Sequence, residues 1–284
     1  MITIKHLDHI SMGHASWKDQ SAWLQRILGF KLLHSFGASG GSDFDGSVSQ
    51  APGTDIEFEV ISPSGPRSFV QKFLDEAGPG LHHITVEVPD IKEAAAGLER
   101  LGLKPFGGIT KDGMWDLTYI HPKESGGILW QLFEPYKFPD PADRSTTGGA
   151  VGLKRVDHVS MAVPLLEKQL EWQQRVFGMV PGETWIDDEL GYTGCVLTIP
   201  NSQLQFEVIA PTRPESFVQK FIDTRRAGMH HICCEVASVD ACAAALKAEG
   251  IEPFGGIIEG GDWHRHTFIH PRDSGGVLFQ LFEE

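Results

Sequence analysis

Residues 66–88, PRSFVQKFLDEAGPGLHHITVEV, return 148 positions later as PESFVQKFIDTRRAGMHHICCEV at 214–236. IHPKESGGILWQLFE at 120–134 returns as IHPRDSGGVLFQLFE at 269–283, PFGGI at 105–109 returns at 253–257, and LDHISM at 7–12 returns as VDHVSM at 156–161. Matches of this length, in the same order and at nearly constant offset, mark an internal duplication, so the chain must adopt a fold in which one unit is used twice. The stretch between the copies, PYKFPDPADRSTTGGAVG at 135–152, has the Pro, Asp, Ser, Thr and Gly content of a linker. Two domains are expected, 1–140 and 150–284, and 284 residues are enough for two cores.

Each copy reads the same way along its length. A short apolar strand (7–12; 156–163) leads into a helix with apolar spacing (17–28; 165–177), closed by Gly29 or Gly178. Strands ending in DIEFEVISP or QLQFEVIAP follow, then a helix (68–76; 215–225) and a strand at HHITVEV or HHICCEV. An Ala-rich helix (91–101; 239–249) precedes Gly102 or Gly250, and strands ending in GILWQLFE or GVLFQLFE close the copy. The order strand, helix, strands occurs twice per copy. The expected class is therefore α+β, with four βαβββ modules in which DHI and HHI open equivalent modules.

Four polar residues interrupt apolar strands in each copy: His9, Glu59, His83 and Gln131, then His158, Glu207, His231 and Gln280. Their spacings are 50, 24 and 48 residues in the first copy and 49, 24 and 49 in the second. Singly, each has a plain structural explanation as a bonded core histidine, a paired surface carboxylate or a structural amide. Recurrence of all four is not explained that way, and a carboxylate in an apolar strand is costly unless a cation relieves it. Two imidazoles, a carboxylate and an amide oxygen suit a divalent ion such as Zn, Co, Ni, Mn or Fe. One negative ligand leaves such an ion net positive, able to polarise a carbonyl or stabilise an enolate.

Several other residues carry weaker signals. His82 and His230 alternate to the opposite strand face and read as structural. His121 and His270 sit before a proline at a strand-to-loop step, where substrate contact and local bonding are both open. His264 and His266 occur only in the second copy, against Trp115 and Leu117 in the first. Glu189, expected on a strand before Gly191, is a catalytic candidate beside Glu59 and Glu207; Gly41 takes its place in the first copy. SGG at 125–127 and 274–276 reads as a turn rather than a nucleotide loop.

The pattern DHI…FEVISP…GLHHI…HPKESGGILWQLFE resembles the vicinal oxygen chelate superfamily, and within it the methylmalonyl-CoA epimerases, over almost all of each copy. The resemblance implies two domains with curved mixed sheets around a metal cavity. It also implies the ligand set already named, from the His of DH, an acid or amide in the fourth strand, the second His of HHI and an acid in the last strand. This chain departs from that pattern by placing Gln131 and Gln280 where the family usually has Glu. A base supplied by that last-strand Glu would have to be replaced by Glu59, Glu207 or a residue outside the ligand set.

Three functions compete. Metal-assisted epimerisation or isomerisation (or a glyoxalase-like lyase reaction) of a small substrate with vicinal oxygens ranks first. Extradiol or hydroxyphenylpyruvate-type dioxygenase chemistry ranks second, because a fourth protein ligand closes one of the positions that substrate and O2 would need. A metal-free sequestering module ranks third. A net charge of −14 disfavours nucleic-acid and anionic-membrane partners, while a homodimer is compatible with the sequence. No stretch approaches 18 apolar residues, and Cys195, Cys233, Cys234 and Cys242 lack CxxC spacing, so a cytoplasmic protein with reduced thiols is expected.

Overall fold

The computed structural model describes residues 1–37, 43–111, 115–136, 143–260 and 264–284. The first copy runs β1 (His6–Gly13), α1 (Trp17–Trp23), β2 (Lys31–Phe36), β3 (Phe44–Gln50), β4 (Glu57–Pro63), α2 (Phe69–Ala77), β5 (Gly80–Glu87), α3 (Ile91–Arg100), β6 (Phe106–Lys111), β7 (Trp115–Ile120) and β8 (Leu129–Pro135). The second runs β9 (Leu153–Ala162), α4 (Leu166–Phe177), β10 (Val180–Asp187), β11 (Tyr192–Thr198), β12 (Gln205–Pro211), α5 (Phe217–Arg225), β13 (Gly228–Val236), α6 (Val239–Ala248), β14 (Phe254–Ile258), β15 (His266–Ile269) and β16 (Leu278–Phe282). The α+β class and the βαβββ modules are as expected.

Each copy forms one open eight-stranded mixed sheet. The strand orders are β2-β3-β4-β1-β5-β8-β7-β6 and β10-β11-β12-β9-β13-β16-β15-β14. The opening strand of each module therefore lies at the centre of its sheet, which brings DHI beside HHI. Within the second module of each copy the outer strands are antiparallel, while β5 pairs parallel with β8 and β13 with β16. Helix α1 lies on one face, where the hydroxyls of Ser21 and Ser47 are 2.6 Å apart. Glu59 pairs with Val48, the residue after Ser47, so its side chain faces away from that helix.

Local chemistry sets the helix ends. Ser68 accepts from the Val70 amide (3.1 Å), Ser216 from the Val218 amide (3.0 Å), and Asp90 from the Lys92 and Glu93 amides (2.8 and 2.9 Å). Gly29 and Gly178 end their helices at φ of 73° and 67°, a left-handed conformation costly for any residue with a Cβ. The single helix expected over 17–28 is instead an α-helix to Trp23 followed by a π-helical turn at Leu24–Leu28. Apolar spacing specifies a buried face but does not register the one-residue widening of a π turn.

The chain also divides into two compact units. Met1–His9, His82–Asp140 and Val159–His230 make one; Ile10–Leu81, Pro141–His158 and His231–Glu284 make the other. Each unit holds most of one module from each copy. In the first, the Trp130 ring lies 4.6 Å from that of Phe177, and the buried Gln169 amide donates to the Ser125 carbonyl (3.1 Å). In the second, Trp23 stacks on Phe279 at 6.1 Å, and the buried Gln20 amide donates to the Ser274 carbonyl (3.0 Å). Ser125 and Ser274 open the two SGG turns, whose glycines take positive φ.

Candidate metal centre

The structure groups His9, Glu59 and His83, and separately His158, Glu207 and His231, with the ligand atoms of each trio all within 4.8 Å of one another. Each trio forms within one copy. His9 and His158 come from central strands β1 and β9, His83 and His231 from their neighbours β5 and β13, and Glu59 and Glu207 from β4 and β12. Gln131 pairs with Thr85, two residues beyond His83, and Gln280 pairs with Cys233, two beyond His231. Alternation along a strand thus puts both glutamines on the ligand face, one step from the ligand histidine.

Hydrogen bonds orient the first-copy ligands. His9 Nδ1 is 2.6 Å from Asp8 Oδ2, which turns Nε2 toward His83 Nε2 at 3.4 Å and Thr85 Oγ1 at 2.8 Å. Ser11 donates to Glu59 Oε2 (2.6 Å). His82 and His83 share a hydrogen bond between their Nδ1 atoms (2.8 Å), which leaves Nε2 of His83 directed to the site. In the second copy His158 Nδ1 is 2.8 Å from Asp157 Oδ2. Carboxylates that hold the far nitrogen of a ligand histidine fix its tautomer and raise its basicity.

Electrostatics favour a neutral His83 and charged aspartates. Burial favours the neutral form of His83 and, with the charges of His82 and His9, holds it well below the usual histidine range. Burial likewise brings His82 and His230 down to about 4. Burial alone would raise the Asp8 carboxyl, but hydrogen bonds and charge from His6 and His9 outweigh it, so Asp8 lies well below the usual carboxylate range. Asp157 is lowered by the same balance, with His158 and Arg155 opposing the effect of burial.

The donor set fits a divalent ion. Two bonds of about 2.1 Å meeting at a tetrahedral angle put their nitrogens about 3.4 Å apart, the separation of His9 Nε2 and His83 Nε2. The 4.8 Å bound on each trio slightly exceeds the ~4.2 Å that two opposed bonds span, so small rotamer shifts would close the set.

Other expected residues are placed as follows. Glu189 lies in the exposed turn between β10 and β11 rather than on a strand, where its carbonyl accepts from Arg213. Gly41, its counterpart, lies outside the described residues. His121 and His270 cap the short 3₁₀ turns that follow, their Nδ1 atoms accepting from the Lys123 and Arg272 amides (both 3.1 Å). His82 hydrogen-bonds a ligand histidine, and His230 packs edge-on against Phe221 at 4.7 Å. The sequence reading passed over Asp8 and Asp157. The signal available was the DH dipeptide, repeated in both copies. All four cysteines are buried, and no helix among the described residues is long and apolar enough to cross a membrane.

A family model of the Glyoxalase/Bleomycin resistance protein/Dioxygenase superfamily matches residues 8–119 and again 157–268. The chain belongs to this superfamily, with the domain present twice. Among its relatives is the mitochondrial methylmalonyl-CoA epimerase of Homo sapiens, 30% identical over 161 residues that cover 53% of this chain and 90% of the relative. The ethylmalonyl-CoA/methylmalonyl-CoA epimerase of Cereibacter sphaeroides is 31% identical over 130 residues, covering 45% of this chain and 96% of that protein. A 4-hydroxymandelate synthase variant from Streptomyces coelicolor superposes on 99% of this chain and 92% of its own with a TM-score of 0.70; at 16% identity this is a likeness of fold.

Proposed function

We propose that the chain is a divalent-metal-dependent epimerase or isomerase that moves a proton on the carbon alpha to a carbonyl, acting on a 2-carboxyacyl thioester of the methylmalonyl-CoA kind. The observation that carries this reading is the His, Glu, His trio found in both copies on equivalent strands. Support for the substrate class comes from the epimerases that match about half of the chain while being covered almost end to end.

In this reading the two domains, 1–140 and 150–284, each carry a site: His9, Glu59 and His83 with Gln131, and His158, Glu207 and His231 with Gln280. Co, Zn, Mn, Ni and Fe all suit these donors. Bound there, the ion supplies charge stabilisation for an enolate. Asp8 and Asp157 hold the ligand imidazoles in one tautomer, the strand positions keep the donors rigid, and Glu59 or Glu207 takes the α-proton. Glu189, on its exposed turn, is assigned no part.

The test is interconversion of the two epimers of methylmalonyl-CoA by metal-loaded protein in deuterated solvent, with deuterium entering at the α-carbon and a chelator abolishing both. Consumption of O2 with a 2-keto acid or catechol by the Fe(II)-loaded protein, without epimerisation, would replace this reading with the dioxygenase one. Ligand binding without turnover by metal-free protein would replace it with a sequestering module.

A further inference from the structure

The repeated PFGGI segment takes no part in holding the metal, yet both copies fold it alike. The Gly108 amide donates to the Pro105 carbonyl (3.2 Å), and the Gly256 amide to the Pro253 carbonyl (3.2 Å). Gly107 and Gly108 take φ of 78° and 68°, and Gly255 and Gly256 take 78° and 70°, values that favour glycine. The turn bulges each edge strand, because β6 and β14 advance four residues while their partners advance two. Phe106 is thereby set opposite Tyr119, which is opposite Gln131. Phe254 is opposite Phe268, which is opposite Gln280. Paired residues in a ladder share a face, so both phenylalanines lie on the ligand face. Two strand spacings separate each from its glutamine, about 10 Å. Each row, with His83 or His231, lies within one compact unit.

A histidine completes each row. The His121 ring meets Phe106 edge-on at 4.7 Å and 89°, and His270 meets Phe254 at 4.8 Å and 83°. Neither imidazole turns freely, because Nδ1 of His121 accepts from the Lys123 amide and Nδ1 of His270 from the Arg272 amide. A ring nitrogen that accepts carries no proton, so Nε2 of each ring is a donor. Phe106 and Phe254 nevertheless stay 47% and 49% exposed. One exposed phenylalanine needs no explanation. Two of them, each on a ligand face and each braced by a pinned imidazole donor, are the same construction made twice. A Cβ at Gly107, Gly108 or Gly256 would meet no described atom within 4 Å, so the space beside each ring is open.

We infer that each phenylalanine and histidine pair binds the amide-bearing thiol arm of an acyl thioester, a pantetheine chain, while the acyl end lies at the metal site. This rests on the proposed epimerase reading. The parts suit that arm: a flat apolar ring faces its methylenes and geminal methyls, and an N–H donor meets an amide carbonyl. The reach suits it as well. Eight bonds separate the thioester sulfur from the second amide carbonyl of pantetheine, roughly 9–10 Å at the extension of a peptide chain. An arm leaving the acyl end beside Gln131 and crossing Tyr119 therefore brings that amide to Phe106 and His121. The edge strands β6 and β14 end their sheets, so a nucleotide attached to the arm extends past the sheet. The pair binds and orients, and takes no part in proton transfer.

The test uses the full-length, metal-loaded protein carrying His121→Asn and His270→Asn together. Asparagine still accepts the turn amide but offers no donor where Nε2 stood. Methylmalonyl thioesters of N-acetylcysteamine, pantetheine and CoA are compared. Wild type should prefer the pantetheine thioester to the N-acetylcysteamine one, and the variant should lose about 10-fold of that preference through KM, with kcat kept. The preference for CoA over pantetheine should not move. Phe106→Ala with Phe254→Ala should act in the same direction. Loss of kcat with all three thioesters alike overturns the inference. So does a change confined to the CoA-over-pantetheine step, which would seat the nucleotide on the ring. Calorimetry with propionyl-pantetheine, whose α-carbon has no stereocentre, separates the two readings. Binding that weakens in the variant, by a protein that epimerises nothing, sinks the epimerase reading alone. An active wild type that treats the pantetheine and N-acetylcysteamine thioesters equally sinks only the pantetheine assignment, and a protein that neither epimerises nor binds sinks both.

Discussion

Asp8 Oδ2 lies 2.6 Å from Nδ1 of His9, its neighbour in the same strand. The second copy repeats the pair as Asp157 and His158 at 2.8 Å. The carboxylate is thus an outer partner that sets which nitrogen of the ligand faces the ion. Asp8→Asn should weaken metal binding at the first site by about 10–100-fold without unfolding the protein, and Asp157→Asn should do the same at the second. Competition with a chromophoric chelator reads each affinity. Unchanged affinity in both variants would remove these aspartates from the metal site.

Each trio forms within its own copy, so the sites should empty independently. Elemental analysis of wild type is expected to give two ions per chain. His9→Ala and His158→Ala should each leave one ion, and the double variant none. Wild-type protein purified with every candidate metal and still carrying none would sink the metal reading.

Glu283 accepts a hydrogen bond from the Val239 amide (2.7 Å) at the start of α6 and another from Arg265 (2.7 Å). The backbone bond first, then Arg265, holds its carboxyl below the ordinary 4.5. A lowered carboxylate value favours the folded state above the unfolded value, and that contribution is lost as pH falls below 4.5 toward the folded value. Glu283→Gln should therefore cost about 1 kcal/mol at neutral pH, and its gap from wild type in urea unfolding should narrow as the pH drops through that window. Glu134 accepts from the Ile91 amide (2.9 Å) at the start of α3, and Glu134→Gln should carry a similar cost at neutral pH.

Gly276 has φ of +102°, and a Cβ there would lie 2.1 Å from the Pro79 carbonyl oxygen. Gly102, at φ of +76°, has no atom within 4 Å of such a Cβ. Gly102→Ala should cost about 1 kcal/mol from backbone conformation alone. Gly276→Ala adds a clash with main chain that cannot turn aside, and should cost clearly more in thermal or urea unfolding. Equal costs would mean that the SGG turn is free to shift.

Much of this was legible in the sequence because the duplication acted as its own control. His9, Glu59 and His83 stand out only because His158, Glu207 and His231 repeat them, and the structure groups both sets. The aspartates were missed because period-two alternation sends neighbours to opposite faces, and a short carboxylate reaching the adjacent imidazole is a side-chain event that pattern does not encode. Glu189 was misplaced because a turn closing at Gly191 begins earlier than the polar run suggests. The pairing of Gln20 with Ser274, and of Gln169 with Ser125, had no signal in linker composition, which reports where the chain is loose and not which modules pack.

Both compact units draw on both copies, so neither half of the chain contains a complete one. If two identical chains made such units, every substitution would appear at both sites at once. Covalent fusion lifts that constraint, because each half has its own codons while still packing against the other. Thr85 could become Cys233, and Leu117 could become His266, without altering the opposite site. The tether thus lets one scaffold hold two unlike centres, an asymmetry that a symmetric pair of identical chains cannot encode.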